Sequence, residues 1–435
     1  MNKIGIRHED KYKLERRTPL VPGDVTDLIR QGLEITVEQS DKRIFGDDEF
    51  DKAGAKVTEN LDHCDVILGV KEMPENYFQH DKTYVFFSHV IKGQPYNMPM
   101  LKKLMNAGST LIDYEKIEDD QGRRLIFFGQ YAGLAGMINT LWAVGQRYQK
   151  PGVENQFSQL KQAYRYNSLI EAKSEIIGVA KEIKKNGLPE EMKPLIIAVT
   201  GDGNVSQGAL EILQLLEGKS ITPKQLKNRD YPADSSIITV NILPQDYLTH
   251  KEGREFDLFH YIEKPEMYES MIEDLLPNIN VFVNGIYWDE RYPKLIKKSW
   301  LREQTKSNNL KLKVIGDITC DVHGSVECTE KATEIEDPVF IYNTMNDRYQ
   351  MGFDGEGIAV MAVDILPSEL PRESSEHFSE ALKPFIKSLA KADFSVPLDE
   401  LDLPDELKLA VIVHRGSLTK DYEYLKDHLP DKSTG

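Results

Sequence analysis

Short apolar runs alternate with amphipathic stretches through the N-terminal third of the chain. Residues 3–7 read as a strand, 25–32 as a helix and 33–38 as a second strand. Residues 47–55 are helical, 66–70 and 84–88 are strands, and a helix over 97–106 leads into a strand over 110–114. Strands interleaved with helices imply right-handed crossovers and a parallel sheet. A long apolar helix follows between Tyr131 and Tyr148, with Gly133, Ala135 and Gly136 in it. Small residues there permit close packing against another element, and the helix is also compatible with a bridge between two domains.

Residues 151–167 are polar and loop-like. A helix over 170–184 ends at Asn186-Gly187 and Pro189, a helix-stop signal. Leu195-Ile-Ile-Ala-Val-Thr200 is the most apolar short run, reads as a fully buried central strand and opens a second α/β unit. Later strands are expected over 237–240, 281–283 and 313–315. After an apolar stretch at 358–366 come a helix over 374–390 and a polar end, with a short polar tail at 430–435. A return of this segment to the first domain is compatible with the pattern. The fold class is therefore α/β.

Length and charge narrow the partners. At roughly 150 residues per domain, 435 residues suggest two or three domains. Lys plus Arg is 54 and Asp plus Glu is 71, a net charge of −17. That field repels phosphate backbones and anionic lipid, so neither nucleic acid nor membrane is an expected partner. The first twenty residues are crowded with charge and hold no signal-peptide core, and no apolar run approaches the ~18 residues of a membrane span. Cys64, Cys320 and Cys328 form neither a disulfide framework nor a zinc spacing. A reduced, cytoplasmic protein without a metal is expected.

Two features carry candidate chemistry. After the strand at 195–200 comes Gly201-Asp202-Gly203-Asn204-Val205-Ser206-Gln207-Gly208-Ala209, then a helix over 209–217. Strand, glycine turn and helix form the context of a dinucleotide loop, with the pyrophosphate at the helix N-terminus. The third fingerprint position is Ser206 instead of glycine, so a simple strand-to-helix turn stays open. The acidic residue that binds the ribose in NAD enzymes is absent from 218–223. Lys219 and Ser220 there suit a 2′-phosphate, which favours NADP(H) over NAD(H).

In the first domain, the strand at 66–70 runs into Lys71-Glu72 and the strand at 84–88 into His89. Strand carboxyl ends in a parallel sheet open onto one crevice. A partly desolvated lysine and a histidine there are two groups suited to proton transfer, or else surface residues at strand ends. Arg16-Arg17, and Arg123-Arg124 after a turn at Asp119-Asp120-Gln121-Gly122, suit bidentate carboxylate binding or form solvated charge clusters.

Several stretches together resemble one family. Glu15-Arg-Arg-Thr-Pro-Leu20, Gly69-Val-Lys-Glu-Met-Pro74, Phe87-Ser-His-Val-Ile-Lys92 and Asp120-Gln-Gly-Arg-Arg124 are similar to the saccharopine dehydrogenases. So are Phe128-Gly-Gln-Tyr-Ala-Gly-Leu-Ala-Gly136, Asn284-Gly-Ile-Tyr-Trp288 and Leu366-Pro-Ser-Glu-Leu-Pro-Arg-Glu373. The glycine loop, and Gly316-Asp-Ile-Thr-Cys-Asp321 with Gly324-Ser-Val-Glu327, resemble the lysine–2-oxoglutarate reductase half of the bifunctional aminoadipic semialdehyde synthases.

The resemblance implies two Rossmann-like domains with parallel sheets and an active-site cleft between them. Substrate domain I would combine residues 1–130 with 350–435, and dinucleotide domain II would span 131–349. It implies interconversion of lysine plus 2-oxoglutarate with saccharopine, by hydride transfer between a nicotinamide cofactor and an imine. Lys71 and His89 would be the acid/base pair, tuned by Glu72 and Glu115. Arg17 and Arg124, supported by Arg16, Arg123 and Lys92, would hold substrate carboxylates. Gly201, Gly203, Asn204, Val205 and Ser206 would carry the cofactor, and Asp317 and Asp321 would lie near the nicotinamide ribose or the bound amine. A saccharopine-oxidising activity would fall to a separate enzyme. Competing readings are an amino-acid dehydrogenase of the alanine dehydrogenase type and a non-catalytic dinucleotide or amino-acid sensor.

Overall fold

A computed structural model describes residues 1–232 and 235–430, so the tail expected at 430–435 lies, from residue 431 on, outside the described residues. The chain divides into two compact units, Met1–Phe128 with Pro371–Gly435, and Gly129–Leu370. Each is a Rossmann-like α/β unit on an eight-stranded sheet.

In the first unit, Lys56–Thr58, Ile35–Glu38, Ile4–Ile6, Val66–Leu68, Thr83–Phe86 and Thr110–Asp113 pair in parallel in that order. Ile4–Ile6, Val66–Leu68 and Thr83–Phe86 are buried at every position, the mark of parallel strands covered on both faces. Val411–His414 joins antiparallel beside Thr110–Asp113, and Ser417–Leu418 closes that edge. The helix Pro371–Lys391 buries Phe378, Leu382, Ile386 and Leu389 in this core. Its Ser375 and Ser379 hydroxyls accept the N–H groups of Thr18 and Val21, each at 3.0 Å.

In the second unit, Lys219–Ile221, Ile237–Ile242, Leu195–Thr200, Val281–Asn284, Val314–Asp317 and Ile358–Met361 pair in parallel. Val339–Asn343 and Arg348–Met351 extend the sheet as an antiparallel hairpin. Leu195–Thr200 is buried throughout, as its composition requires. Residues 350–370, which the resemblance implied for the first domain, fall in this unit, where Ile358–Met361 pairs with two strands of the sheet. An apolar run ahead of a long helix reads alike in either sheet.

The helix Gly129–Gln149 packs directly on the helix Asn204–Gln214. A Cβ at Gly133 would sit 1.9 Å from the Val205 carbonyl oxygen, and one at Gly208 would sit 2.1 Å from that of Gln130. The two backbones meet where only glycine fits. Among the described residues, no helix is long and apolar enough to cross a membrane, and no group of His, Cys, Asp and Glu could hold a metal ion. Cys64, Cys320 and Cys328 are free thiols.

Candidate active site

The strand ends of the first unit gather ionisable groups of both signs. Glu72 is buried, and its Oε1 receives His89 Nδ1 at 2.8 Å and Lys11 Nζ at 2.6 Å. Burial disfavours the carboxylate, but the hydrogen bonds and charges of His89 and Lys11 outweigh it and hold Glu72 well below the usual range. Asn97 Nδ2 donates to the Ser88 carbonyl at 3.0 Å and the His89 carbonyl at 3.2 Å, fixing the His89 backbone at φ +49°. A cavity of about 490 Å³ opens beside Lys11, Glu72 and Asn97.

Two buried carboxyls near this pair escaped the sequence reading. Glu9 Oε1 accepts the Val70 N–H at 2.7 Å and its Oε2 accepts the Lys71 N–H at 2.9 Å. Burial, reinforced by the neighbouring Glu15 charge, pushes Glu9 up to about 7. Asp113, at the end of its strand, accepts the Ser88 N–H and hydroxyl on Oδ2 and the Glu115 N–H on Oδ1 at 2.8 Å. Burial pushes it up to about 6. The signal was available: Glu9 follows the strand Ile4–Ile6 as Lys71 and His89 follow theirs.

The arginines are placed unequally. Arg17 is buried and bound bidentately by Glu15, at 2.7 Å from Nε and 2.6 Å from an Nη, with its guanidinium 4.2 Å above the Phe128 ring. Burial disfavours the Glu15 carboxylate, yet the charges of Arg17 and Lys71 hold it below the ordinary range. Arg17 is thus not presented as an open clamp. Arg16 Nε donates to the Lys42 carbonyl at 3.1 Å. Arg124 is exposed and pairs with Glu115. Arg123 is exposed and closes its own turn through Asp119 at 2.7 Å, and Lys92 is exposed.

In the second unit the glycine loop follows Leu195–Thr200. Gly201 has φ +89°, a left-handed turn that favours glycine, and Gly203 caps a helix that starts at Asn204, five residues before the expected start. Asn204 to Gly208 carry no apolar periodicity, which hid the first turn. Ser206 points inward, its hydroxyl donating to the Thr200 carbonyl at 2.8 Å. Its side chain therefore pins the loop to the strand, and Gly208 supplies the close helix packing instead. The first helical N–H groups lack intrahelical acceptors and suit a phosphate.

Three cofactor assignments change. Lys219 opens its strand, level with Ile238, whereas the glycine loop begins beyond Thr200, level with Ile242. Lys219 and Ser220 therefore lie toward the amino end of the sheet and away from the phosphate loop. The strand beside Leu195–Thr200 is Ile237–Ile242, and Asn241 near its carboxyl end has a buried Oδ1 that accepts no hydrogen bond. Asp317 is buried and fully engaged. Its Oδ1 accepts from Asn284 at 2.8 Å and Thr319 at 3.1 Å, and its Oδ2 accepts from Thr329 at 2.5 Å. Asp317 therefore braces the strand ends through both of its oxygens, while Asp321 is exposed.

Residues 5–135 match the alanine dehydrogenase/PNT N-terminal domain family. Over 97% of its length the chain is 39% identical to alpha-aminoadipic semialdehyde synthase of Arabidopsis thaliana, covering 41% of that protein. It is 32% identical to the mitochondrial alpha-aminoadipic semialdehyde synthase of Mus musculus over 97% of the chain, covering 47% of that protein. It is 29% identical to the lysine-forming, NAD(+) saccharopine dehydrogenase of Emericella nidulans over 89% of the chain and 92% of that protein. The chain is thus similar in sequence to aminoadipic semialdehyde synthases and to lysine-forming saccharopine dehydrogenases. It spans less than half the length of those synthases.

Among solved structures, an L-alanine dehydrogenase superposes with a TM-score of 0.63 at 19% identity, over 98% of this chain and 100% of that one. The transhydrogenase from Sinorhizobium meliloti gives 0.59 at 14%, over 96% and 99%. These two show the shared fold. The chain thus has the Rossmann-like fold of these two solved structures.

Proposed function

We propose that this chain interconverts L-lysine plus 2-oxoglutarate with saccharopine, using a nicotinamide cofactor. One observation carries the reading. The segment that spans 41% of a plant aminoadipic semialdehyde synthase also spans 92% of a fungal enzyme named for lysine-forming saccharopine dehydrogenation. The shared segment is a whole enzyme in the fungal case.

The second unit fits a dinucleotide. Gly201 makes the tight turn, the helix from Asn204 offers free N–H groups, and Asn241 holds an unused buried acceptor. The bound cofactor supplies a hydride to the imine carbon. In NAD enzymes the strand beside the glycine strand ends in an acid for the ribose 2′-hydroxyl. Asn241 is neutral there, and the nearby Asp246 is engaged with the Leu243 N–H at 2.8 Å, which supports NADP(H) as the preferred form. Three free thiols suit a reducing cytoplasm.

The first unit supplies the proton chemistry. When the lysine ε-amine adds to the ketone, nitrogen loses a proton, and when the carbinolamine expels water, its oxygen gains one. We assign nitrogen to Lys71 and oxygen to His89. Glu72 orients the imidazole through Nδ1, leaving Nε2 to exchange protons. Glu9 fixes the backbone at Val70 and Lys71, one carboxyl oxygen accepting each N–H. Saccharopine has three carboxylates. Arg124 is exposed and can trade Glu115 for one of them, with Arg16, Arg123 and Lys92 adding local positive charge. Arg17 acts from behind by holding Glu15, a carboxylate that the Lys71 charge also stabilises.

The test is NADPH oxidation by the purified protein with lysine and 2-oxoglutarate, run beside NADH and beside pyruvate plus ammonia. Turnover that requires both lysine and 2-oxoglutarate is expected. Turnover with pyruvate and ammonia alone assigns the chain to the alanine dehydrogenase type, and no turnover with either cofactor rejects the proposal.

A further inference from the structure

The amino end of the second sheet carries a cluster that the proposed reaction does not use. Arg147 lies in the last turn of the helix Gly129–Gln149, and Lys313 immediately precedes the strand Val314–Asp317. Their charges repel, and burial together with the adjacent guanidinium holds the Lys313 ammonium below the usual lysine range. The Arg147 guanidinium donates to the carbonyls of Phe353 at 3.3 Å, Gly355 at 3.1 Å and Gly357 at 2.8 Å, which hold the group without neutralising it. Among the described residues, no carboxylate makes an ion pair with Arg147 or Lys313. Asp354 is taken by Lys150 at 2.8 Å, and Glu191 and Glu356, both exposed, line the same cavity as the two cations without pairing with either.

These cations face a cavity of about 630 Å³ whose other walls include Tyr148, Pro151, Val153 and Phe353. A second cavity of about 380 Å³ shares Arg147 and Lys313. Two cations without an ion-pair partner, set against an apolar wall, define a ligand chemistry: an anionic head and a nonpolar body. We propose that this pocket binds a small organic carboxylate with an apolar or aromatic body, with its carboxylate on Lys313 and Arg147 and its body against Tyr148 and Phe353. The site lies at the end of the sheet opposite the glycine loop, so occupancy does not depend on the proposed dehydrogenase reaction.

The experiment is calorimetric titration of the full-length chain with phenylacetate as probe, with phenylacetamide as the neutral isostere and acetate as the body-less anion. Saturable phenylacetate binding is expected, at least about tenfold tighter than the amide or acetate. Lys313→Met should weaken it by at least about tenfold and Lys313→Arg should retain it. Arg147 is left intact because it braces its loop. No saturable phenylacetate binding overturns the proposal. Equal binding of acid and amide, or unchanged affinity in the Lys313→Met chain, places the probe elsewhere and also overturns it.

Discussion

The two sheets end in loops of opposite chemical character. In the first unit the carboxyl ends hold buried ionisable groups, Glu9, Glu15, Glu72 and Asp113 beside Lys71 and His89. Glu9 and Asp113 are pushed up, while Glu15 and Glu72 are held down by their cations. In the second unit the corresponding ends carry glycines, hydroxyls and amides, braced by the buried carboxyl of Asp317. One architecture thus offers two kinds of surface, each suited to a different part of the proposed reaction. Proton transfer needs groups whose charge can change. Holding an anionic dinucleotide needs fixed dipoles and free N–H groups, which buried carboxylates would repel.

The sharpest way to break this contrast is to remove the ionisable pair. Lys71→Met and His89→Gln should each lower kcat by about 100-fold to 10,000-fold while leaving NADPH affinity unchanged, measured by steady-state rates and cofactor fluorescence. Near-wild-type rates in both would return them to surface residues at strand ends. A structural counterpart lies in the second unit. Gly133→Ala forces a Cβ to within 1.9 Å of the Val205 carbonyl and should cost about 3 kcal/mol, a Tm drop on the order of 10 °C. Gly203→Ala meets nothing within 4 Å and should leave Tm within about 2 °C. Equal effects would show that the helix contact is not the constraint.

Buried carboxyls also sharpen the comparison through pH. Glu9 sits at about 7 against an ordinary 4.5, so the fold favours its protonated form. Its contribution is fully present below about 4.5 and is lost as pH rises through about 7. The stability of wild type relative to Glu9→Gln should therefore fall, by on the order of 2 kcal/mol, between acidic and mildly basic pH in denaturant titrations. Glu72 has the opposite sign, its contribution present above the ordinary carboxylate range and lost on acidification. A pH-independent difference for Glu9→Gln would contradict its assigned state. The smallest effect is expected at the cofactor end. Asn241→Asp should move preference from NADPH toward NADH by about tenfold in the ratio of kcat/KM.

Much of this was legible in the sequence, and the misses have physical causes. Leu195–Thr200 was plain because a strand buried on both faces has no polar positions to confuse its period. Lys71, Glu72 and His89 were legible as residues at strand ends because they directly follow apolar runs. Glu9 and Asp113 were missed because a buried carboxyl and a solvated one are the same letter. Their burial depends on neighbours distant in the chain, Val70 and Ser88. Lys219 and Ser220 were misplaced by counting along the chain. The strand Lys219–Ile221 sits at the sheet edge and Ile237–Ile242 takes the place beside the glycine strand, so the ribose position falls later. Arginine doublets announce charge, but only the fold shows that Arg17 is spent on Glu15 while Arg124 stays exposed.

The central claim is that the first unit manages protons for joining the lysine ε-nitrogen to a keto acid. The most direct measurement follows that nitrogen with lysine labelled at the ε-position with ¹⁵N, 2-oxoglutarate and NADPH, analysed by mass spectrometry. The account predicts a product with the mass of saccharopine that retains the label, formed in step with NADPH oxidation and absent from the His89→Gln chain. Label released as ammonia, or NADPH oxidised without a labelled secondary amine, would contradict it.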